Sequence, residues 1–362
     1  MRSGSTARNV VLLAVLLLAP AELGRPGPPP RSAPPPPLSF GAAIEAAEEL
    51  PRLHSLLVVR RGERLLESYF HGASARRTGN IKSASKSVIS ALVGIAIERG
   101  LIESVDTPIS EFFPELLRPD ADPGKRAITV EDLLTMRAGL ESTSSRNYGA
   151  WVHSRSWVRY ALNQPLLNPP GSRMTYSTGN THLLSAILTK ASGGSTWKLA
   201  SEALAKPLGF ELARWPRDPE GIYFGGNDME MTPRQMAAFG ELYVNRGRAG
   251  DSQIIPGEWV DASFTPVTRS RRSGRLYGYG WWMRTLAGRR VHFAWGFGGQ
   301  FIFVVPDLEL VVVTTSSAVP GPGRRGHLGA VYDLVGSGVI APVAASLGYF
   351  TPALGAQLAA RR

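Results

Sequence analysis

The chain of 362 residues contains no cysteine. This absence excludes disulfide bonds, thiolate metal ligands and lipid attachment to an N-terminal cysteine. The six histidines stand at positions 54, 71, 153, 182, 292 and 327 without a His-Glu-x-x-His or other paired spacing, so we predict no metal site. The Gly-x-Ser-x-Gly pattern is also missing, which argues against an α/β-hydrolase.

Acidic residues are absent from the end of the chain, where none follows Asp333. Gly321-Pro-Gly-Arg-Arg-Gly326 matches the Gly-x-Gly-x-x-Gly pattern of dinucleotide-binding loops and stands between a predicted strand and a predicted helix. Dinucleotide binding also needs a second parallel strand and an acidic residue about 20 residues further on, and the chain has room for neither. We therefore predict no cofactor.

Lysine is rare, with six residues in the whole chain, and two of them stand three positions after a serine. Ser83-Ala-Ser-Lys86 begins a stretch that is apolar on nearly every face and is predicted to be helical to Arg99. Residues i and i+3 share one face of a helix, so the hydroxyl and the amine can meet. Burial lowers the pKa of an amine, and a helix N-terminus has free N–H groups. Ser83 and Lys86 are therefore predicted to form an activated acyl-transfer nucleophile, the alternative being a capped core helix.

The second copy of this spacing, Ser195-Thr-Trp-Lys198, has different surroundings. It follows Gly193-Gly194, which ends a helix, and it precedes an ordinary amphipathic segment. Ser195 is therefore predicted to be the N-cap of a helix, with Lys198 pointing to solvent. The spacing alone does not identify a site.

The N-terminal residues are predicted to be a signal peptide over 1–21. Two arginines precede an apolar run over 10–18, which ends in the small-x-small sequence Ala19-Pro-Ala21. An uncleaved membrane anchor is the alternative, although the run is short for a span. Residues 22–38 are rich in proline and are predicted to form an extended linker. We therefore expect a periplasmic or secreted protein.

The folded part is predicted to combine strands at both of its ends with helices between them. Residues 54–70 have the pattern of a hairpin, and further strands are predicted between 277 and 315. This order predicts an α+β fold in which one antiparallel sheet is built from both ends of the chain around a mostly helical insertion. The predicted boundaries are a domain over 39–345, its sheet part over about 39–82 and 275–345, its helical part over about 83–274, and a tail over 346–362.

An acyl-transfer site also needs a second group that handles protons, and Tyr176 is the best candidate. It lies in the irregular loop Asn168–Asn180, where prolines and a glycine precede a predicted helix. A cationic lysine nearby lowers the pKa of a tyrosine, which can then carry the serine proton to the leaving group. The alternative is a tyrosine that packs on a loop.

The glycine-rich segment Ala294–Gln300 is predicted to stabilise a developing oxyanion. A strand that runs into three glycines leaves its backbone N–H groups open to a ligand, because no side chain blocks a close approach. The alternative is a tight turn between two strands without a function.

The formal net charge is +11, and the loop Arg269–Arg275 is strongly basic. No nucleic-acid-binding motif or interleaved aromatic residues accompany this loop, so it is predicted to be a solvated surface loop, and no nucleic acid is predicted as a partner. A basic exported protein can associate with the anionic cell envelope, which we retain as a weak expectation. The sequence leaves the oligomeric state open.

The sequence resembles the β-lactamase-related serine hydrolases. The resemblance is carried by Ser83, Lys86, Tyr176 and the glycine-rich strand, which follow one another in this order along the chain. That group includes class C β-lactamases, D-alanyl-D-alanine carboxypeptidases, and esterases and amidases related to 6-aminohexanoate-dimer hydrolase. The resemblance covers about 39–340 and extends to segments 128–140, 225–234 and 277–282. It implies a β-lactamase/transpeptidase-like fold, in which helices flank an antiparallel sheet.

The resemblance also implies a role for each candidate residue. Ser83 would be the acylated nucleophile and Lys86 its proton acceptor. Tyr176 would be the acid and base that serves the leaving group and later the water. The amides of Ser83 and Phe297 would form the oxyanion hole.

Two motifs of the lactam-acting members are altered in this chain. Ala294-Trp295-Gly296 stands in place of Lys-Thr-Gly, and Thr178 holds the asparagine position of Tyr-x-Asn. The missing lysine and asparagine are groups that would hold the carboxylate and amide of a penicillin or a D-Ala-D-Ala peptide. Trp295 favours an apolar acyl or alcohol portion instead. The predicted substrate contacts are Trp295, Gly296, Gly298 and Asn180.

The predicted function is hydrolysis of a small ester or amide through an acyl-serine. Within enzymes, the alternative is a peptidoglycan-directed D-amino-acid carboxypeptidase or a β-lactamase. The alternative from another class is a non-catalytic envelope-binding protein on the same fold. Its sign would be the loss of Ser83, Lys86 or Tyr176, and all three are present.

Overall fold

The computed structural model describes residues 36–349. The predicted signal peptide, the linker up to residue 35 and the tail from residue 350 lie outside the described residues, and their predictions stay predictions. Within residues 36–349, strands lie near both ends of the chain, after a first helix and before the last helices, and most of the helices lie between them. This is the order that the sequence predicted.

Twelve strands are present among the described residues: β1 Leu53–Arg60, β2 Glu63–Tyr69, β3 Gly79–Asn80, β4 Glu230–Met231, β5 Arg248–Ala249, β6 Ser252–Gln253, β7 Thr268–Arg269, β8 Leu276–Tyr277, β9 Trp282–Leu286, β10 Arg289–Gly296, β11 Gln300–Val305 and β12 Leu310–Ser316. Eight of them form one antiparallel sheet in the order β2-β1-β12-β11-β10-β9-β8-β7. The N-terminal hairpin therefore pairs with the last strand, and the predicted antiparallel sheet is confirmed.

The helices of the described residues are α1 Gly41–Glu48, α2 Ser85–Glu98, α3 Pro123–Arg126, α4 Val130–Leu134, α5 Tyr148–Val152, α6 Trp157–Asn163, α7 Thr178–Ser192, α8 Thr196–Ala200, α9 Pro233–Val244, α10 Gly257–Ser263, α11 His327–Asp333 and α12 Ala341–Ser346. Wider π-helical turns extend α8 to Ala205 and join α11 to α12. The last helical run spans His327–Ser346, and its apolar face packs on the sheet.

Both faces of the central strands are covered. Every residue of β11 and β12 is buried, which explains why these strands are apolar without alternation. Helix α9 packs on one face, and α1 with the helical run from α11 to α12 packs on the other. That run, His327–Ser346, is long and apolar enough to cross a membrane, but it contributes Val331, Val335 and Val339 to the core.

The segment 277–283, in the region where strands are predicted, is interrupted by a turn. Strand β9 begins only at Trp282, and the residues before it form a turn in which the Gly278 amide donates to Trp281 O at 3.0 Å. Gly280 has a φ of +79°, and its α-carbon lies against Ser90 and the backbone of α2. The glycines therefore serve a close contact with α2 that interrupts the strand.

Candidate active site

Ser83 lies in a tight turn rather than within the α-helix that the sequence predicted. The turn Lys82–Ala84 is 3₁₀-helical, and α2 begins at Ser85. The residue before the serine, Lys82, has a φ of +52°, a conformation that L-residues with a side chain rarely adopt. Its amide donates to Asn80 Oδ1 at 2.8 Å, and Asn80 Nδ2 donates to Asp228 Oδ1 at 2.6 Å. These bonds hold a strained turn at the serine.

A loop between Gly225 and Met231 supports the same turn from the other side. The Ile81 amide donates to Met229 O at 2.9 Å, and the Met229 amide donates to Ser85 Oγ at 3.3 Å. Strand β4 continues this loop and pairs with β3, directly before the turn. The segment 225–234, which carried part of the family resemblance, therefore positions Ser83.

Lys86 is brought to Ser83 in the buried interior. Its side chain is 2% exposed, and Nζ lies 3.1 Å from Ser83 Oγ. Nζ also donates to Gly226 O at 2.5 Å and to Thr178 Oγ1 at 3.4 Å. Burial lowers the pKa of Lys86 to about 7, against a smaller opposing effect of the Asp228 carboxylate. Near neutral pH a large fraction of this amine is therefore uncharged and can accept a proton.

Tyr176 faces the same two residues, but its pKa moves opposite to the sequence-based expectation. Lys86 Nζ lies 5.2 Å from the centre of the Tyr176 ring. Burial nevertheless raises the pKa of Tyr176 to about 12, and the Ser83 side chain offsets only part of this rise. The expected lowering is wrong because a lysine with a pKa near 7 carries too little positive charge to outweigh the burial of the phenol. At neutral pH Tyr176 is a proton donor.

A pair of hydroxyl groups occupies the place of the asparagine of Tyr-x-Asn. Thr178 Oγ1 lies 2.9 Å from Ser144 Oγ, and the Thr178 amide donates to Ser144 Oγ at 2.9 Å. Ser144 lines the same cavity as Ser83. Sequence reasoning missed Ser144 because it comes from a separate segment. The only local signal was the hydroxyl-rich run Ser142-Thr-Ser-Ser145.

The glycine-rich segment reaches the turn at Ser83 from β10. Phe297 and Gly298 line the cavity together with Ser83, and Gly298 and Gly299 have φ values of +92° and +112°. Gly296 does not line the cavity. A Cβ on Gly296 would lie 2.0 Å from Ile81 O, so glycine is needed there to let β10 approach the backbone next to Ser83. The predicted substrate contact at Gly296 is corrected to a packing role.

Gly296→Ala is expected to lower stability by about 1–3 kcal/mol, because the new methyl group would overlap the Ile81 carbonyl. A shift of about 1 Å between β10 and the Ser83 turn is also expected to lower kcat/KM about 100-fold. Urea unfolding and ester hydrolysis measure the two effects. Gly329→Ala is the matched control, since Gly329 is an exposed helical residue with open space around its α-carbon. Equal behaviour of the two variants would contradict the packing role.

Asn180 is also not at the cavity. Helix α7 begins at Thr178, and its residues from there to Leu188 are all buried. Asn180 is 3% exposed within this first turn, so the predicted substrate contact is corrected to a position in the helix interior. His182, on the same helix, packs in the interior: Nε2 lies 3.0 Å from Asp218 Oδ2, and both side chains are fully buried.

The look-alike serine–lysine pair behaves as predicted. Ser195 accepts a hydrogen bond from the Lys198 amide and caps α8, while the Lys198 side chain is exposed. The two copies of the spacing thus differ in burial and in partners. Among residues 36–349 no group of three histidine, aspartate or glutamate side chains is arranged to hold a metal ion.

The cavity above Ser83 has a volume of about 1050 Å³. Aromatic side chains form one wall: the Tyr176 ring stacks on Trp282 at 5.8 Å, and Trp282 meets Trp295 at 6.0 Å between ring centres. The basic loop 269–275, predicted to be a solvated surface loop, contributes Arg271, Arg272 and Arg275 to the lining. The loop is a solvated surface loop as predicted, with Arg271 and Arg272 exposed, and it also borders the cavity.

Comparison with known proteins agrees with this geometry. The profile of the Beta-lactamase family matches residues 52–336, which is more than half of the chain. The chain belongs to the Beta-lactamase family. Members of this family are serine hydrolases, so the chain is placed among hydrolases. Ser83, Lys86, Tyr176 and Phe297 all fall within the matched residues.

Several individual proteins are similar to this chain in sequence or in structure. The chain is 24% identical over 298 residues to a 6-aminohexanoate-dimer hydrolase of Paenarthrobacter ureafaciens, covering 75% of this chain and 74% of the relative. Among solved structures, an octameric penicillin-binding protein homologue from Pyrococcus abyssi has a TM-score of 0.62 at 20% identity, covering 81% and 75% of the two chains. A family VIII carboxylesterase has a TM-score of 0.61 at 16% identity, covering 82% and 95%. These likenesses confirm the β-lactamase/transpeptidase-like fold.

Proposed function

We propose that this protein is an exported carboxylesterase or small-amide hydrolase that works through an acyl-enzyme on Ser83. The observation that carries the proposal is the contact of 3.1 Å between Ser83 Oγ and the buried Lys86 amine, whose pKa of about 7 leaves it able to take a proton. A buried base beside a hydroxyl group is the arrangement that activates a serine nucleophile.

In the proposed acylation, neutral Lys86 takes the proton of Ser83 while Ser83 Oγ attacks the carbonyl carbon of the substrate. The amides of Ser83 and Phe297 stabilise the oxyanion of the tetrahedral intermediate. As the intermediate collapses, Tyr176 donates its phenolic proton to the leaving oxygen or nitrogen, and protonated Lys86 restores that proton. The products of this half-reaction are the alcohol or amine and an ester on Ser83.

Deacylation follows the same path with water in place of the leaving group. The neutral amine of Lys86, with Tyr176 as the relay, takes a proton from the attacking water. The tetrahedral intermediate then expels Ser83 Oγ, which recovers a proton from Tyr176, and protonated Lys86 restores the proton of Tyr176. The carboxylic acid leaves, and all three side chains return to their starting states.

The altered motifs support an ester or small amide as the substrate. Ala294 stands where the lactam-acting members carry lysine, and the next residue, Trp295, extends the aromatic wall above Ser83. The names of two similar proteins, a 6-aminohexanoate-dimer hydrolase and a carboxylesterase, point in the same direction. Export is proposed from the signal-like N-terminus, and N-terminal sequencing of the mature protein tests it.

A fluorophosphonate probe followed by peptide mapping tests the proposed nucleophile. We expect one adduct, on the peptide that contains Ser83, and a pre-steady-state burst of about one p-nitrophenolate per enzyme from p-nitrophenyl esters. Ester hydrolysis with an adduct on another residue would contradict the assignment. Labelling of Ser83 by fluorescent penicillin, with weak ester turnover, would favour a peptidoglycan-directed enzyme instead.

A further inference from the structure

Positive charge is concentrated around the cavity far beyond its share in the chain. The whole chain has 40 lysines and arginines against 29 aspartates and glutamates. The cavity lining has one acidic residue, Glu141, against six arginines at positions 52, 146, 271, 272, 275 and 324. A cavity lined by one sign of charge raises the local concentration of ligands with the opposite sign.

Some of these arginines are already used within the protein. Arg52 donates to the carbonyl groups of Ser317, Val319 and Pro322, so it is a structural residue. Arg146 forms an ion pair with Glu141, which neutralises its charge. These contacts leave the remaining arginines as the candidates for binding a ligand.

Arg275 is the best placed of the remaining arginines. Its guanidinium carbon lies 5.6 Å from the ring centre of Trp295 and 5.3 Å from that of Tyr332. Among the described residues, no carboxylate lies within ion-pair distance of its guanidinium and no acceptor bonds it. The buried Trp295 Nε1 also has no acceptor there. A partly buried guanidinium and a neighbouring N–H group without acceptors are suited to an anionic oxygen ligand.

The position of Arg275 relative to Ser83 defines the shape of such a ligand. Tyr176, which lies against Ser83, stacks on Trp282, and Trp282 contacts Trp295. The Arg275 guanidinium lies over Trp295. The ring contacts that connect Tyr176, beside the proposed scissile bond, to the positive charge therefore run through two indole rings.

We propose that the substrate is an anionic amphiphile: an ester or amide with an apolar segment that ends in a negatively charged group bound by Arg275. The apolar segment lies along Trp282 and Trp295, where aromatic surface favours it. This inference rests on the proposed function, because it assumes that the bond above Ser83 is the one cleaved. The experiment has one arm for a charge on the acyl portion and one for a charge on the alcohol portion.

The acyl arm compares the mono-p-nitrophenyl ester of suberic acid with the same ester whose far carboxylate is replaced by a carboxamide. The alcohol arm compares the acetate esters of 8-hydroxyoctanoate and 8-hydroxyoctanamide by acetate release. We expect kcat/KM to favour the anionic member by about tenfold in one arm, the effect of one well-placed charge-assisted hydrogen bond. The ratio is expected to approach one in about 1 M salt, where the screening length is about 3 Å.

Two variants test which arginine causes the preference for the anionic substrate. Arg275→Met keeps an apolar side chain beside Trp295 and is expected to bring the anionic-to-neutral ratio close to one. Arg284→Met is the matched control, because Arg284 stacks on the same Tyr332 ring at 4.0 Å but does not line the cavity. It is expected to retain most of the preference.

The outcomes separate the inference from the function on which it rests. Equal kcat/KM values for the anionic and neutral substrates in both arms would overturn the inference alone. A preference that survives Arg275→Met and disappears in Arg284→Met would also overturn it. Failure of Ser83 to become acylated by any of these esters would instead overturn the proposed function.

Discussion

Replacing Ser83 by alanine is expected to lower kcat/KM for an activated ester by at least about 10⁴-fold, with the fold intact. The reason is that the proposed reaction passes through an ester on the Ser83 oxygen. Among the described residues, no other hydroxyl group lies as close to the buried amine of Lys86. The Thr178 hydroxyl is farther from Nζ, at 3.4 Å compared with 3.1 Å for Ser83. Steady-state kinetics with a p-nitrophenyl ester measure kcat/KM, and circular dichroism of both proteins checks the fold.

Ser195→Ala is the matched control for this variant. Ser195 has a lysine at the same spacing, but it caps α8. Its replacement is expected to cost about 1 kcal/mol of stability and to leave the rate nearly unchanged. A loss of less than tenfold for Ser83→Ala would exclude Ser83 as the nucleophile, whatever the control shows.

Lys86→Met is expected to lower kcat/KM by about 10³-fold, the usual contribution of a general base. The pH dependence is the more specific test. The wild-type rate is expected to rise with an apparent pKa of about 7, because only the neutral amine above that pH accepts the Ser83 proton. The pKa of Tyr176, raised to about 12, predicts no loss of its proton below pH 10. The variant is expected to lose the rise near pH 7.

Stability gives an independent test of the same pKa. The Lys86 pKa falls from 10.5 in the unfolded chain to about 7 in the folded protein, so the unfolded state binds more protons between these two values. The wild type is therefore expected to gain stability relative to Lys86→Met as pH rises from 7 towards 10, and to show no such change below 7. Urea unfolding at several pH values measures the difference.

Lys198→Met is the control for both experiments, because the Lys198 side chain is exposed. Its rate, its pH profile and the pH dependence of its stability are expected to match the wild type. A Lys86→Met variant that kept the wild-type pH profile would show that another group is the base.

The sequence alone determined the order of the main strands and helices and the choice between the two serine–lysine pairs. The nucleophile candidate was identified because the helix after Ser83 is apolar on nearly every face, whereas the helix after Ser195 is amphipathic. Strand β11, Gln300–Val305, lies in the region 277–315 where the sequence predicted strands, and its residues from Phe301 onward are continuously apolar. Such patterns are visible in a sequence because they depend on neighbours within a few positions.

Only the tertiary structure decided the chemistry of the individual groups. The Tyr176 pKa depends on how deeply the phenol is buried, and this burial outweighs the lysine beside it. The Ser144–Thr178 pair joins segments that are 34 residues apart, and the Asn80–Asp228 pair joins segments that are 148 residues apart. The basic loop at Arg275 borders the cavity because it connects β7 and β8 at one edge of the sheet. Burial and contacts between distant segments set the charge and position of a group, and no local pattern contains them.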